Sequence, residues 1–409
     1  MKISIERILA DLNILKSFTD TPGCGVTRFS YGENDAKARI HIKEAAASHG
    51  FLVRTDAIGN MYIGLPGTTD KKGMIRIGSH IDTVRSGGWL DGIYGVISGL
   101  EVLRTLEENK SERASDVEVV IFAEEEGSNF GSTMTGSKFA AGLYGAEDLG
   151  RLRTDDGKSL GDMLTKRGFA SYRREEVVWD FSRIKAMLEL HIEQGPILEQ
   201  EGKSIGIVDS IFGMTTIEVS IVGIGNHAGA TPMYYRKDAL TAAALCISEV
   251  ERVAKEDPEG VLVATVGKVA VSPNCSNVIP EKVVFTIEVR GKLEDRIIST
   301  IKQIEEAVSG ISEQRGVTYE IRHLAESKPF RMDGCIIGIM ENMAEDAGCS
   351  YRIMDSGAVH DTCVIAPHVP SGMLFVPSIG GRSHVPFENT DAGDLARGAQ
   401  LLLDTVLAI

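Results

Sequence analysis

The chain shows two textures of hydrophobic patterning. Across residues 74–123 short apolar runs alternate with other elements: residues 74–77, a glycine-rich loop, an apolar helical stretch over about residues 93–106, then VEVVIFA from Val117. Strand, helix, strand with short connections predicts βαβ units on a buried, largely parallel sheet. Two later runs, AMLELHI over residues 186–192 and MLFVPSI over residues 373–379, are also buried-strand candidates and are assigned to the same layer.

From about Gly213 the texture changes. Ile217, Val219 and Ile221 alternate with polar residues, and a helical period follows from about Lys237 with Leu240, Ala244, Ile247 and Val250. Strands are then expected over residues 261–269 and 282–290, a helix carrying Ile297, Ile301, Ile304 and Val308, and a last strand with Val317, Tyr319 and Ile321. The order βαββαβ is ferredoxin-like. The expected fold is α/β: a mostly parallel-sheet domain of residues 1–212 and 326–409, interrupted by a ferredoxin-like domain of residues 213–325.

Composition narrows the function. The 409 residues carry 43 Lys and Arg against 58 Asp and Glu, a net charge of −15, which gives no long-range attraction to nucleic acid or to anionic membranes. The six cysteines are scattered without a C-x-x-C pair, as in a reducing cytoplasm. Glu6 and Asp11 interrupt the apolar pattern of the first 18 residues, so neither a signal peptide nor a membrane span is expected.

Histidine is scarce, nine in all, and its placement is informative. GSHIDTV sets His80 and Asp82 just past one predicted strand, and GGWLDG sets Asp91 in a glycine-flanked loop before a helix. AEEEGS delivers Glu124, Glu125 and Glu126 at the end of the next strand, and AMLELHIEQG delivers His191 in the same way. Ligands of open α/β sheets bind beyond the carboxyl ends of the strands, and imidazole with carboxylate suits zinc-like ions. A metal site is the expectation. His41, His49, His323 and His368 are read as surface residues.

The motifs CGVTRFSY, GSHIDTVRSGGWLDG, AEEEGS, ELHIEQG, NHAGATPM, PNCSNVIP, SGAVHD and SIGGRSH span nearly the whole chain. In this order they resemble the dinuclear-metal amidases related to aminoacylases and carboxypeptidases, within them the branch of allantoate amidohydrolase and N-carbamoyl-L-amino-acid hydrolase. The resemblance implies two divalent metal ions per subunit, Zn2+ or Mn2+, with Co2+ or Ni2+ also accommodated. It implies His80, Asp91 and His191 as ligands of one ion and Asp91, Glu126 and His384 as ligands of the other. Glu125 resembles the general base, Asp82 the carboxylate that orients His80, and His227 the lid-domain donor to the oxyanion. Arg290 resembles a carboxylate-binding arginine, with Gln194, Asn277 and His360 as neighbouring substrate contacts.

The implied activity is hydrolysis of the terminal ureido or carbamoyl C–N bond of a small carboxylate substrate, an N-carbamoyl-L-amino acid or allantoate, releasing ammonia and carbon dioxide. The resemblance also implies a homodimer joined through the inserted lid domain. An aminoacylase or dipeptidase on the same scaffold is the alternative, weakened because peptidase relatives usually carry a carboxylate where His191 stands. A non-catalytic binding protein is a third reading, against which the complete ligand set speaks. Four features depart from the branch: Asn129 in place of arginine, the segment FGSTMTG after it, SGAVHDT, and Arg382 two residues before His384. They are read as candidates to line the substrate pocket.

Overall fold

The computed structural model describes residues 1–68, 71–257 and 261–409. The chain divides into two compact units, Met1–Asp209 with Arg331–Ile409, and Ser210–Phe330. In chain order the strands are β1 (Leu52–Thr55), β2 (Met61–Gly64), β3 (Met74–His80), β4 (Val117–Phe122), β5 (Ile184–Ile192), β6 (Ile205–Ile211), β7 (Gly213–Val222), β8 (Asn226–His227), β9 (Leu262–Ser272), β10 (Val278–Ile279), β11 (Lys282–Gly291), β12 (Thr318–Ser327), β13 (Phe330–Arg331), β14 (Tyr351–Ser356) and β15 (Ser371–Val376).

The larger unit is built on a nine-stranded sheet, order β1-β2-β4-β3-β5-β15-β6-β13, with β14 paired to β6. The four apolar runs singled out in the sequence are its central strands, and β4-β3-β5-β15 are all mutually parallel. Their mostly apolar character follows from burial on both faces. Ile77 and Val119 face Gly99 of the helix Ile93–Glu108. Val120, Phe122 and Met187 face the other way, into a cluster with Trp179 and Ile365. That central helix is buried on nearly every side, which explains why its sequence reads as apolar all round. The outer pairs β1–β2, β2–β4 and β6–β15 are antiparallel.

The smaller unit is a four-stranded antiparallel sheet, order β12-β7-β11-β9, with the βαββαβ connectivity read from the sequence. Buried and half-buried residues alternate along β7 and β11, the mark of a sheet covered on one face. Phe285, Ile287 and Val289 enter a core with Ile217, Val219 and Ile221 from β7 and with the helices Ala239–Lys255 and Glu294–Arg315. Asp238 caps the first of these helices by accepting the amides of Leu240 and Thr241, and Gly316 closes the second in a left-handed turn. A short ladder pairs β8 with β10, setting His227 opposite Val278.

Candidate metal centre

Parallel strands release their chains at one edge, and the larger unit uses that edge to collect ionisable side chains. His80 is the last residue of β3, Glu124 follows β4 by two residues, and His191 is the penultimate residue of β5. Asp91 sits in the loop ahead of the helix Ile93–Glu108, and His384 in the loop that follows β15, with a φ of 59°. Gly92, between Asp91 and that helix, has a φ of 68°, and a β-carbon there would overlap the His80 imidazole. Glycine is required at this position by conformation and by space.

Two donor sets meet on Asp91. His80, Asp91 and His191 form one, and Asp91, Glu126 and His384 the other, with the ligand atoms of each set within 4.8 Å of one another. Nε2 of His191 lies 2.9 Å from Asp91 Oδ1, and Nε2 of His384 lies 2.8 Å from Asp91 Oδ2. Nε2 of His80 is 4.0 Å from Asp91 Oδ1, and Nε2 of His384 is 3.5 Å from Glu126 Oε1. His80 donates Nδ1–H to the carbonyl of Asp82 at 3.0 Å, and His191 donates Nδ1–H to the carbonyl of Ile192 at 2.9 Å. Both rings therefore turn Nε2 toward Asp91, as a ligand must.

At Nε2 of His191 two contacts compete for one nitrogen. The Gly92 amide, at 3.0 Å, can donate only to the unprotonated ring, whereas Asp91 can accept only from the protonated one. Burial opposes the charged ring, but the hydrogen bond to Asp91 and its charge prevail and push His191 up to about 9. The hydrogen bond to Asp91 likewise pushes His384 up to about 9, against its burial. Asp91 is held well below the usual carboxylate range: burial raises it, and the bonds from His191 and His384 more than reverse that.

Glu125 is buried, with Oε2 3.7 Å from Nε2 of His80. Burial, then the charges of Glu126 and Asp361, raise it well above the ordinary range, and burial with Asp91 does the same to Glu126. The cluster therefore holds more negative charge than its imidazoles can balance. Divalent ions would supply the missing positive charge, and the mixed imidazole and carboxylate donors suit the zinc class. The residues present fit such ions.

Several site residues make contacts that the sequence did not foreshadow. The Asp82 carboxylate stands 3.7 Å from Nδ1 of His80, too far for a hydrogen bond, and accepts the amides of Glu125 and Glu126 at 3.3 and 3.1 Å. It orders the turn that carries Glu125 and Glu126, and its backbone carbonyl is what orients His80. Gln194, expected at the substrate, also donates Nε2–H to Asp91 Oδ2 at 3.1 Å, and its Oε1 is buried with no hydrogen-bond partner among the described residues. His360 is buried, packed edge-on against His191 with ring centroids 4.7 Å apart, and its Nε2 meets the Ser356 hydroxyl at 3.0 Å. Asn129 turns inward: its amide bonds the Glu124 carboxylate at 2.8 Å and the Ser30 carbonyl at 2.8 Å. His41 and His49 are half-buried, and His41 bonds the Asp11 carboxylate at 2.9 Å.

His227, Asn277 and Arg290 belong to the smaller unit. Nδ1 of His227 accepts the amides of Gly229 and Ala230 at 3.0 and 3.2 Å, so the neutral ring carries its proton on Nε2 and presents that nitrogen as a donor. Ala228 donates its amide to the carbonyl of Asn277 at 3.0 Å, which joins these two loops. Arg290 is half-buried on the less apolar face of β11, where its Nε donates to Glu288 at 2.8 Å. Sequence reasoning missed Glu388 and Ser383: Ser383 lies 3.2 Å from Asp91 Oδ2, and Glu388 accepts the Asp91 amide at 3.0 Å. Ser383 lies within the SIGGRSH motif, where only Arg382 and His384 were singled out, and Glu388 lies just beyond it.

The chain is 37% identical over 408 residues to the N-carbamoyl-L-amino-acid amidohydrolase of Paenarthrobacter aurescens, covering 100% of this chain and 98% of that protein. It is 37% identical over 390 residues to the allantoate amidohydrolase of Escherichia coli strain K12, covering 95% and 94%. The crystal structure of an amidase of the hydantoinase/carbamoylase family from Burkholderia multivorans superposes with a TM-score of 0.90 at 34% identity, covering 100% of this chain and 98% of that one. No helix among the described residues is long and apolar enough to cross a membrane. The pattern of peptidase family M20/M25/M40 matches residues 77–408, and the chain belongs to that family.

Proposed function

We propose that the protein is a dinuclear-metal amidohydrolase that cleaves the terminal ureido or carbamoyl C–N bond of a small carboxylate substrate, with release of ammonia and carbon dioxide. N-carbamoyl-L-amino acids and allantoate are the substrates this reading favours. The observation that carries it is the pair of donor sets sharing Asp91, with Glu125 buried beside them. His80, Asp91 and His191 would hold one ion and Asp91, Glu126 and His384 the other, with Zn2+ or Mn2+ as the first candidates. Such a pair of ions supplies Lewis acidity toward a carbonyl oxygen and toward an attacking water.

The side chains supply the proton chemistry. Glu125 takes a proton from the attacking water and returns it to the departing nitrogen, and its burial favours a carboxylate that gains a proton readily. His227 donates Nε2–H to the oxyanion of the tetrahedral intermediate, a role its two bonds to Nδ1 prepare. Arg290 binds the substrate carboxylate, where a planar guanidinium can make two parallel bonds. Gln194, Asn277 and His360 complete substrate recognition; the unpartnered Oε1 of Gln194 is an acceptor suited to a ureido N–H. The smaller unit serves as lid and as the surface of a homodimer, and the cytoplasm is the site of action.

The test is ammonia release by protein reconstituted with Zn2+ or Mn2+, on allantoate, a panel of N-carbamoyl-L-amino acids, N-acetyl amino acids and dipeptides. Turnover confined to ureido compounds is expected. Hydrolysis of acetyl amino acids or dipeptides with none of the ureido compounds would replace this reading by an aminoacylase or dipeptidase.

A further inference from the structure

We propose that Glu388 is the positioning residue of the metal centre: one carboxylate ties together the loops that deliver Asp91 and His384, each loop on its own oxygen. The inference rests on the metal-centre reading above. Oε1 accepts the amides of Leu90 and Asp91 at 2.8 and 3.0 Å. Oε2 accepts the Ser383 hydroxyl at 2.8 Å and the His384 amide at 3.3 Å. The carbonyl of Glu388 accepts Nε1–H of Trp89 at 2.9 Å, which adds a third tie to the Asp91 loop.

The loops stand 297 residues apart in sequence, measured from Asp91 to Glu388, so no local turn fixes their spacing. A charged acceptor is suited to the task, because its bonds to amides are about twice as strong as neutral ones. Two donors on each oxygen use the capacity of the carboxylate, so Glu388 holds the ligands and is not itself one. Gly88 makes room for it. A β-carbon on Gly88 would overlap the Glu388 carboxyl group, so the strap and the glycine form one device.

The device can be broken from either side. In Glu388→Gln one oxygen remains for Leu90 and Asp91, while the new amide group cannot accept from the His384 backbone. In Gly88→Ala the carboxylate is displaced with every ligand intact. The experiment titrates metal-free protein with Zn2+ by calorimetry and follows amide exchange of Leu90, Asp91 and His384 without metal, with far-ultraviolet circular dichroism to confirm folding. Both variants are expected to bind the ion of Asp91, Glu126 and His384 about 10–100-fold more weakly, the range for loss of an outer partner of a metal ligand. Faster exchange of the His384 amide is expected in Glu388→Gln.

Unchanged affinities and unchanged exchange in folded Glu388→Gln would overturn the proposal. Wild-type protein that binds fewer than two ions would instead overturn the metal-centre reading, and the exchange rates would still decide whether Glu388 holds the two loops.

Discussion

Nε2 of His384 lies 2.8 Å from Oδ2 of Asp91, on the carboxylate oxygen opposite the one that faces His191. One side chain thus offers an oxygen to each donor set, and its buried position leaves little freedom to serve them in turn. Asp91→Asn keeps the shape and removes the charge that both sets share. It is expected to weaken both ions together, by more than the about 10–100-fold that loss of an outer partner costs. Calorimetric titration of metal-free protein checks this, and loss of one ion with normal retention of the other would show that Asp91 does not bridge.

Gly92→Ala tests whether space around His80 is essential. The new β-carbon meets the His80 imidazole, and the φ of 68° is unfavourable for alanine. The expected result is a loss of about 1–3 kcal/mol in stability from the strained backbone, with weakened binding at the His80, Asp91, His191 set. Urea unfolding and metal titration measure the two effects, and wild-type values in both would refute the packing argument.

The pH dependence of the metal-free protein follows from His191 and His384, both pushed up to about 9. Unfolded histidine titrates near about 6.5, so the folded chain holds extra protons between these values. That contribution is fully present below about 6.5 and is lost as the pH rises through about 9. Glu125 and Glu126, raised by burial and then by neighbouring carboxylates, act in the same direction. Metal-free protein is therefore expected to lose thermal stability from pH 6.5 to 9. Saturating Zn2+ should flatten that slope, because the ions replace the protons. A melting temperature independent of pH in the metal-free protein would contradict this charge arrangement.

His227→Ala probes the donor on the smaller unit. Removing an oxyanion donor typically costs about 10²–10³ in kcat. The ions bound per chain are expected to stay as in wild type, since His227 belongs to neither donor set. A kcat within threefold of wild type would exclude the oxyanion role.

The parallel core was legible because β3, β4, β5 and β15 are buried almost throughout and carry mostly apolar runs, as burial on both faces favours. His80 and His191 were legible as strand-end residues for the same reason. The hairpin β1–β2 and strand β6 were not read: the burial of β1 is broken by exposed Leu52 and Thr55, and only Phe212 separates β6 from β7. The change of texture at Gly213 marks the start of β7 and gives no sign of the strand just before it. Glu388 was invisible because its function lies in pairing with a loop far away in sequence, and a lone loop glutamate gives no local signal. The inward turn of Asn129 onto Glu124 was hidden for the same reason, since sequence gives position along the chain and not the partner.

The most direct test of the account is the rate of ammonia release from an N-carbamoyl-L-amino acid or allantoate, measured against ions bound per chain, for wild-type protein and for Glu125→Gln. Wild-type activity is expected to rise to a plateau at two ions per chain. Glu125→Gln is expected to bind both ions yet turn over about 10²–10⁴-fold more slowly, the contribution expected of a general acid–base group. Near wild-type turnover by Glu125→Gln with both ions bound would contradict it.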